Sequence, residues 1–173
     1  HPPMILPRVF ASSLALAASS LRARPAVACA AAKHTLPSSV LDQQGAALSE
    51  AATTQQLGGR RVALYCSAGW CPMCTSFEPS LVQFVEATRS LESNAPPVQL
   101  IYVSSDMDEA AAEARAAALG MDRVDFAMAQ TLKTTFKLWS GRERPEFGDG
   151  RRGGVPAIVV VDRDCGELQY LNA

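Results

Sequence analysis

Histidine is nearly absent from this 173-residue chain, which has only His1 and His34, and cysteine is sparse at five. A structural zinc site takes four nitrogen or sulfur ligands, normally as two spaced pairs. Here one pair alone, Cys71 and Cys74, has that spacing, while Cys29, Cys66 and Cys165 each stand apart. Zinc is therefore disfavoured. So is a disulfide scaffold, because a chain that is 48% hydrophobic can bury a real core without covalent staples. Nowhere does an uninterrupted apolar run reach the roughly 18 residues of a membrane-spanning helix. A formal net charge of −1 leaves no basic footprint for a constitutive nucleic-acid partner.

Acidic residues are missing altogether from residues 1–41, where Arg8, Arg22, Arg24 and Lys33 are set among alanine and serine. That composition suits an organelle transit peptide of a plastid or mitochondrion. A secretory signal is the competing reading, with an apolar stretch at 9–21 and Ala28-Cys29-Ala30 as the cleavage site. Arg22 and Arg24 between those two parts weaken it. A plain tail on a cytoplasmic protein is the third reading, and Met4 is a candidate start. The expected organisation is a targeting peptide or tail over residues 1–35 and one domain over 36–173.

What the chain does have begins at Trp70-Cys71-Pro72-Met73-Cys74, between the apolar run Val62-Ala63-Leu64-Tyr65 and a stretch with helical spacing. Two cysteines separated by two residues, where a strand hands over to a helix, can close reversibly into a disulfide. The helix start offers unpaired N–H groups and the positive end of the macrodipole to the first of them. This assigns Cys71 as the nucleophile and Cys74, one turn on, as the resolving thiol. Proline suits a helix's first turn and stiffens the link between the thiols. Some 85 residues later, Gly153-Gly154-Val155-Pro156 leads into the β-branched run 157–161. Taken alone, Pro156 is an ordinary strand-start proline.

The periodicity places a short strand, turn and return strand over 40–48, then a weak helix or loop over 49–57. A central strand follows at 60–67 and a helix runs from Cys71 to about Leu91, with Leu81, Phe84, Val85 and Thr88 on one face. Pro79 lies inside that helix, since apolar spacing continues past it. Beyond a loop at 94–97 come a second central strand at 98–104, a helix over 106–120 ended by Gly120, an extended piece at 124–128 and a helix over 130–139. After Pro156 the chain reads as strand, turn at 162–166 and final strand at 167–171. The expected fold class is α/β, a central mixed sheet with helices on both faces.

Several of these segments together resemble the thioredoxin superfamily, in its nucleoredoxin and tryparedoxin-like branch. Residues 65–74, Tyr-Cys-Ser-Ala-Gly-Trp-Cys-Pro-Met-Cys, are similar to that branch's Tyr-Phe-Ser-Ala-Ser-Trp-Cys-Pro-Pro-Cys, and Phe77, Pro79 and Leu81 continue the likeness. Residues 98–106 resemble its second core strand, and Val155-Pro156 its cis-proline step. The resemblance implies a thioredoxin-like fold over about 38–172 and a cis Pro156 that presents the Val155 backbone to an incoming peptide. It also implies that Trp70 is a flat docking surface and that Met73, partly exposed, tunes the redox potential. Met73 and Cys66 depart from the branch pattern. Tyr65 stands where thioredoxin itself has a buried acid, which leaves a water or Glu78 to handle the resolving cysteine's proton. The sequence stops at Ala173, short of the fold's usual last helix, so the expectation is either a truncated sequence or an exposed face of the sheet. Residues 140–153 are about ten residues longer than the corresponding link in relatives, a length that adds little closure entropy. They read as a surface insertion, or as a border of the thiols with Arg151 and Arg152 nearest.

The function expected is a thiol–disulfide oxidoreductase, specifically a protein-disulfide reductase using Cys71 and Cys74. Its partners are disulfide-containing proteins and an external thiol reductant, and it acts as a monomer. No cofactor is expected, because the Gly-Gly pairs lack the strand-to-helix setting of a dinucleotide site. A redox-regulated binding module and a thiol peroxidase are the rival readings. Cys66 is read as a small buried hydrophobe, Cys165 as exposed in a turn, and His34 as a surface residue.

Overall fold

The computed structural model describes residues 40–58, 60–90, 98–162 and 165–173. The targeting segment, His34, Cys29 and the 94–97 loop lie outside the described residues.

Six strands form one mixed sheet in the order β1-β4-β3-β2-β5-β6: β1 Val40–Leu41, β2 Arg61–Ser67, β3 Val98–Ser104, β4 Asp122–Val124, β5 Ala157–Val161 and β6 Glu167–Asn172. Parallel pairing joins β2 to β3 and β3 to β4, while β5 lies antiparallel to both β2 and β6. The two central parallel strands are mostly apolar, over Val62–Cys66 and Leu100–Val103, because helices cover both of their faces.

Alternation along β2 distributes the core. Leu64 and Cys66 point to one face, where Met128, Ala129, Leu132 and Phe136 of α4 (Phe126–Phe136) pack. Ala63 and Tyr65 point to the other, against Leu81 and Val85 of α2 (Pro72–Ser90) and Ala116 of α3 (Glu109–Leu119). Full burial of each such aliphatic side chain is worth about 1.5–3 kcal/mol. α2 runs through Pro79 as expected.

Local signals explain the remaining helices. α1 (Glu50–Leu57) starts at Ser49, whose side chain accepts from the Ala52 N–H, and so the weak segment is helical. α3 is capped by Asp108 and ends at Gly120 in the left-handed conformation, the expected stop. α4 begins four residues earlier than apolar spacing alone placed it, because the Asp125 side chain accepts from the Met128 N–H. The extended piece is correspondingly β4, at 122–124. The return strand expected near 47–48 is reduced to one bridge, Leu41 to Ala47, and β1 pairs with β4 instead.

No helix follows β6 among the described residues. Beside α2 the sheet leaves an open apolar groove lined by Phe77, Phe84, Leu100, Ile158, Val160 and Leu171. No described helix is long and apolar enough to cross a membrane.

Candidate active site

The site forms where β2 ends and α2 begins. Asp106, just beyond β3, organises this junction: its buried carboxylate accepts from the Gly69 N–H at 2.7 Å, the Tyr102 hydroxyl at 2.6 Å and the Ser104 hydroxyl at 2.9 Å. Burial, reinforced by Asp106, raises the Tyr102 pKa, so this phenol stays a donor. The Trp70 indole N–H donates to the Ser105 carbonyl at 3.0 Å, which fixes the half-buried ring beside the cysteines.

Cys71 opens α2. Its N–H donates to the Ala68 carbonyl and its own carbonyl accepts from the Thr75 N–H, each at 3.1 Å. Pro72 follows at the first helical position, and Met73 points outward with 63% exposure. Cys71 is 8% exposed and Cys74 fully buried, and both are free thiols. They cluster with Ala68, Trp70 and Val155. The Val155–Pro156 peptide is cis, and the Val155 carbonyl accepts from the Cys71 thiol at 3.9 Å. Two segments 84 residues apart in sequence thus meet at one sulfur.

The two cysteines differ in environment. Burial pushes the Cys74 thiol up to about 11, against the opposing pull of the Ser67 hydroxyl and the Ala68 backbone. Beneath it lies a buried polar cluster that sequence reasoning identified only at Glu78. The Glu78 carboxylate, 4% exposed, accepts from the Ser67 hydroxyl at 3.3 Å and the Tyr65 hydroxyl at 3.4 Å, and pairs with Arg115 of α3. Burial raises Tyr65 to about 12. The i, i+4 spacing of Cys74 and Glu78 was the available signal that they share a helix face. Nothing in the linear pattern pointed to Ser67 or Arg115.

Residues 140–153 are folded rather than loose. A 3-10 turn (Gly141–Glu143) runs into α5 (Arg144–Phe147). Glu143 accepts from the Ser140 N–H at 2.7 Å and hydroxyl at 2.8 Å, and pairs with the fully buried Lys133 of α4. The arginine that reaches the site is Arg142, 4.1 Å from the centre of the Trp70 ring. Arg151 and Arg152, expected nearest, are held elsewhere. Arg151 donates to the Trp139 carbonyl, and Arg152 pairs with Glu167 and stacks on Tyr170. Cys165 is a second correction. It is 5% exposed, because the turn after β5 folds its side chain under the core beside Val161. Cys66 is buried as expected, and burial pushes it to about 12. Among the described residues no group of three or more His, Cys, Asp or Glu is placed to hold a metal ion.

The model of a family described as thioredoxin-like matches residues 59–167. The chain belongs to that thioredoxin-like family. It is 38% identical over 53 residues to a probable nucleoredoxin 1 of Arabidopsis thaliana, a match spanning 31% of this chain and 9% of that protein's length. Among solved structures it is similar to tryparedoxin II of C. fasciculata, at 22% identity and a TM-score of 0.54, covering 74% of this chain and 72% of that one. A thioredoxin of Wuchereria bancrofti matches at 21% identity and a TM-score of 0.56, covering 79% and 84%. The nucleoredoxin and tryparedoxin among these relatives are of the branch to which the WCPMC segment pointed, and the family is one of redox oxidoreductases.

Proposed function

We propose that the protein is a thiol–disulfide oxidoreductase acting as a protein-disulfide reductase, with Cys71 as nucleophile and Cys74 as resolving thiol. The observation that carries this reading is the meeting of the Cys71 thiol with the Val155 carbonyl at 3.9 Å, directly above a buried second thiol. A backbone carbonyl beside the nucleophile is a site at which an extended peptide can lie with its disulfide over Cys71. The Cys71 thiolate attacks one sulfur of that disulfide, forming a mixed disulfide and releasing the other as a thiol. Cys74 then attacks Cys71, the Cys71–Cys74 bond forms, and the second substrate sulfur leaves reduced. An external dithiol resets the pair by the reverse chemistry. Met73, 63% exposed between the cysteines, is the position at which the redox potential is most open to tuning.

Turnover of insulin disulfides with dithiothreitol as reductant tests the reading. The wild-type chain accelerates the reaction, Cys71→Ser abolishes the acceleration, and Cys74→Ser arrests as a mixed disulfide. Equilibration in glutathione or dithiothreitol buffers sets the direction. A potential near about −270 mV supports a reductase, and one above about −180 mV an oxidase or isomerase. Failure to form the disulfide at any poise overturns the enzymatic reading and leaves a binding module.

A further inference from the structure

Residues 140–153 carry four arginines and three acids, and these are unequally paired. Arg144 pairs with Asp149, Arg152 with Glu167, and Glu143 is taken by the buried Lys133. Glu146 is the acid that remains, and it forms no ion pair with Arg142 four residues before it. Arg142 and Arg151 are thus left without a carboxylate among the described residues. Arg142 stacks over Trp70, the residue before the nucleophile. Stacking uses the flat face of a guanidinium and leaves its N–H edges free for a planar anion. Arg151 is held back from the sulfurs by its bond to the Trp139 carbonyl at 3.3 Å, yet it flanks the approach to them. Its Nη1 is 3.8 Å from where a Cβ would stand on Gly154, and 3.9 Å from the same point on Gly141. Gly154 directly precedes Val155, whose carbonyl meets the Cys71 thiol. Each of the two segments that meet at that sulfur therefore has an uncompensated cation beside it. The first turn of α2 holds no acid to offset them, and its N-terminus adds the positive end of the helix dipole. The patch is local, since the whole chain has a formal net charge of −1.

We propose that Arg142 and Arg151 form a carboxylate-binding border that selects acidic protein segments, those with Asp or Glu next to the reacting disulfide. The inference deepens the dithiol reading above and rests on it. A peptide extended along the Val155 backbone advances about 3.3 Å per residue. Side chains one or two positions to either side of its cysteine then come within reach of the two arginines. Arginine suits this task because its fork of donors matches a carboxylate with two parallel bonds. Acidic segments are drawn in before the sulfurs react, whereas a basic segment meets the same two cations and is repelled.

Three peptides test this on the reduced full chain: acetyl-Gly-Asp-Cys-Asp-Gly-amide and its counterparts with Asn or Lys at both Asp positions. Each is supplied as its mixed disulfide with 2-thiopyridine, a neutral and readily released thiol. Cys71 attacks the peptide sulfur, the Cys71–peptide disulfide forms, and the thiopyridine leaves with the electron pair of the broken bond. Its release is followed by absorbance in a stopped-flow trace. At low salt the Asp peptide is expected to react about tenfold faster than the Lys peptide, with Asn between them. At 1 M salt the three rates should converge to within about twofold. The variants are read as the ratio of the Asp to the Asn rate, which general damage to the site leaves unmoved. Arg142→Gln and Arg151→Gln should each lower that ratio, and the double variant should bring it to about one. Equal rates for the three peptides in the wild type at low salt overturn the proposal, and so does a wild-type ratio kept by the double variant. Absence of release from every peptide instead overturns the dithiol reading, and the proposal falls with it.

Discussion

The guanidinium of Arg142 lies over the indole of Trp70, 4.1 Å from the ring centre. A cation from the 140–153 segment therefore covers the residue that precedes the candidate nucleophile, and both are held from behind. Trp70 is fixed through Ser105, and the turn carrying Arg142 is fixed through Glu143 and Lys133.

That contact should make exchange at Cys71 sensitive to the charge of the incoming disulfide. With Arg142→Ala, the rate with the dianionic 5,5′-dithiobis(2-nitrobenzoate) should fall about threefold at low salt, and the rate with dicationic cystamine should rise by a similar factor. At 1 M salt, where the screening length is about 3 Å, both differences should shrink. Equal changes with the two probes would show that Arg142 acts by packing on Trp70 instead of by charge.

The Lys133–Glu143 pair should be the clamp of the whole insertion. Lys133 has no exposed side-chain surface, so removing its partner strands a buried ammonium group. Glu143→Ala is expected to lower stability by about 3–5 kcal/mol, read from urea midpoints, whereas a Lys133→Met, Glu143→Leu double variant should recover most of it. Burial alone pushes the Glu143 carboxyl up, but its bonds to Lys133 and Ser140 outweigh burial and hold it below the ordinary 4.5. The pair's contribution is thus present above that value and lost as pH falls through the lower folded one. Acidification from pH 6 to 3 should then destabilise the wild type more than the double variant.

Alkali should separate the two redox states. The Cys74 thiol rises from 9.0 to about 11 on folding, so between those values the unfolded chain releases a proton that the folded chain keeps. Stability is complete below pH 9 and falls as pH rises towards 11, by on the order of 2 kcal/mol for a shift of this size. Cys66, raised to about 12, extends the fall. Closing the disulfide removes Cys74 from titration, so the oxidised protein should lose less stability than the reduced one between pH 8 and 10.5. Parallel urea midpoints for the two states would contradict this.

Strands β2, β3 and β5 were legible because an apolar, β-branched run bounded by turn residues has few other ways to be buried. The stop of α3 at Gly120 was legible from capping, which is local chemistry, whereas its start was read at 106 and the Asp108 cap places it at Glu109. Where capping was passed over, as at Asp125, the start of α4 was misplaced by four residues. Cys165 was read as exposed because it lies in a turn, and which side of a turn faces the core depends on packing that no neighbour in sequence reports.

Within the site, the order Trp70-Cys71-Pro72-Met73-Cys74 determined by itself a thiol pair at a strand-to-helix junction, since spacing and helix geometry are properties of adjacent residues. Tertiary structure alone decided what surrounds that pair. Asp106 reaches back 37 residues to the Gly69 N–H, Arg115 crosses from α3 to Glu78, and Arg142, not Arg151 or Arg152, covers Trp70. These are long-range choices among several similar side chains. For the buried Asp106 and Glu78 carboxylates they are settled by which partner is at hand when the helices close on the sheet, because a buried charge left unpaired is strongly destabilising, while the exposed Arg142 is placed by the folding of residues 140–153.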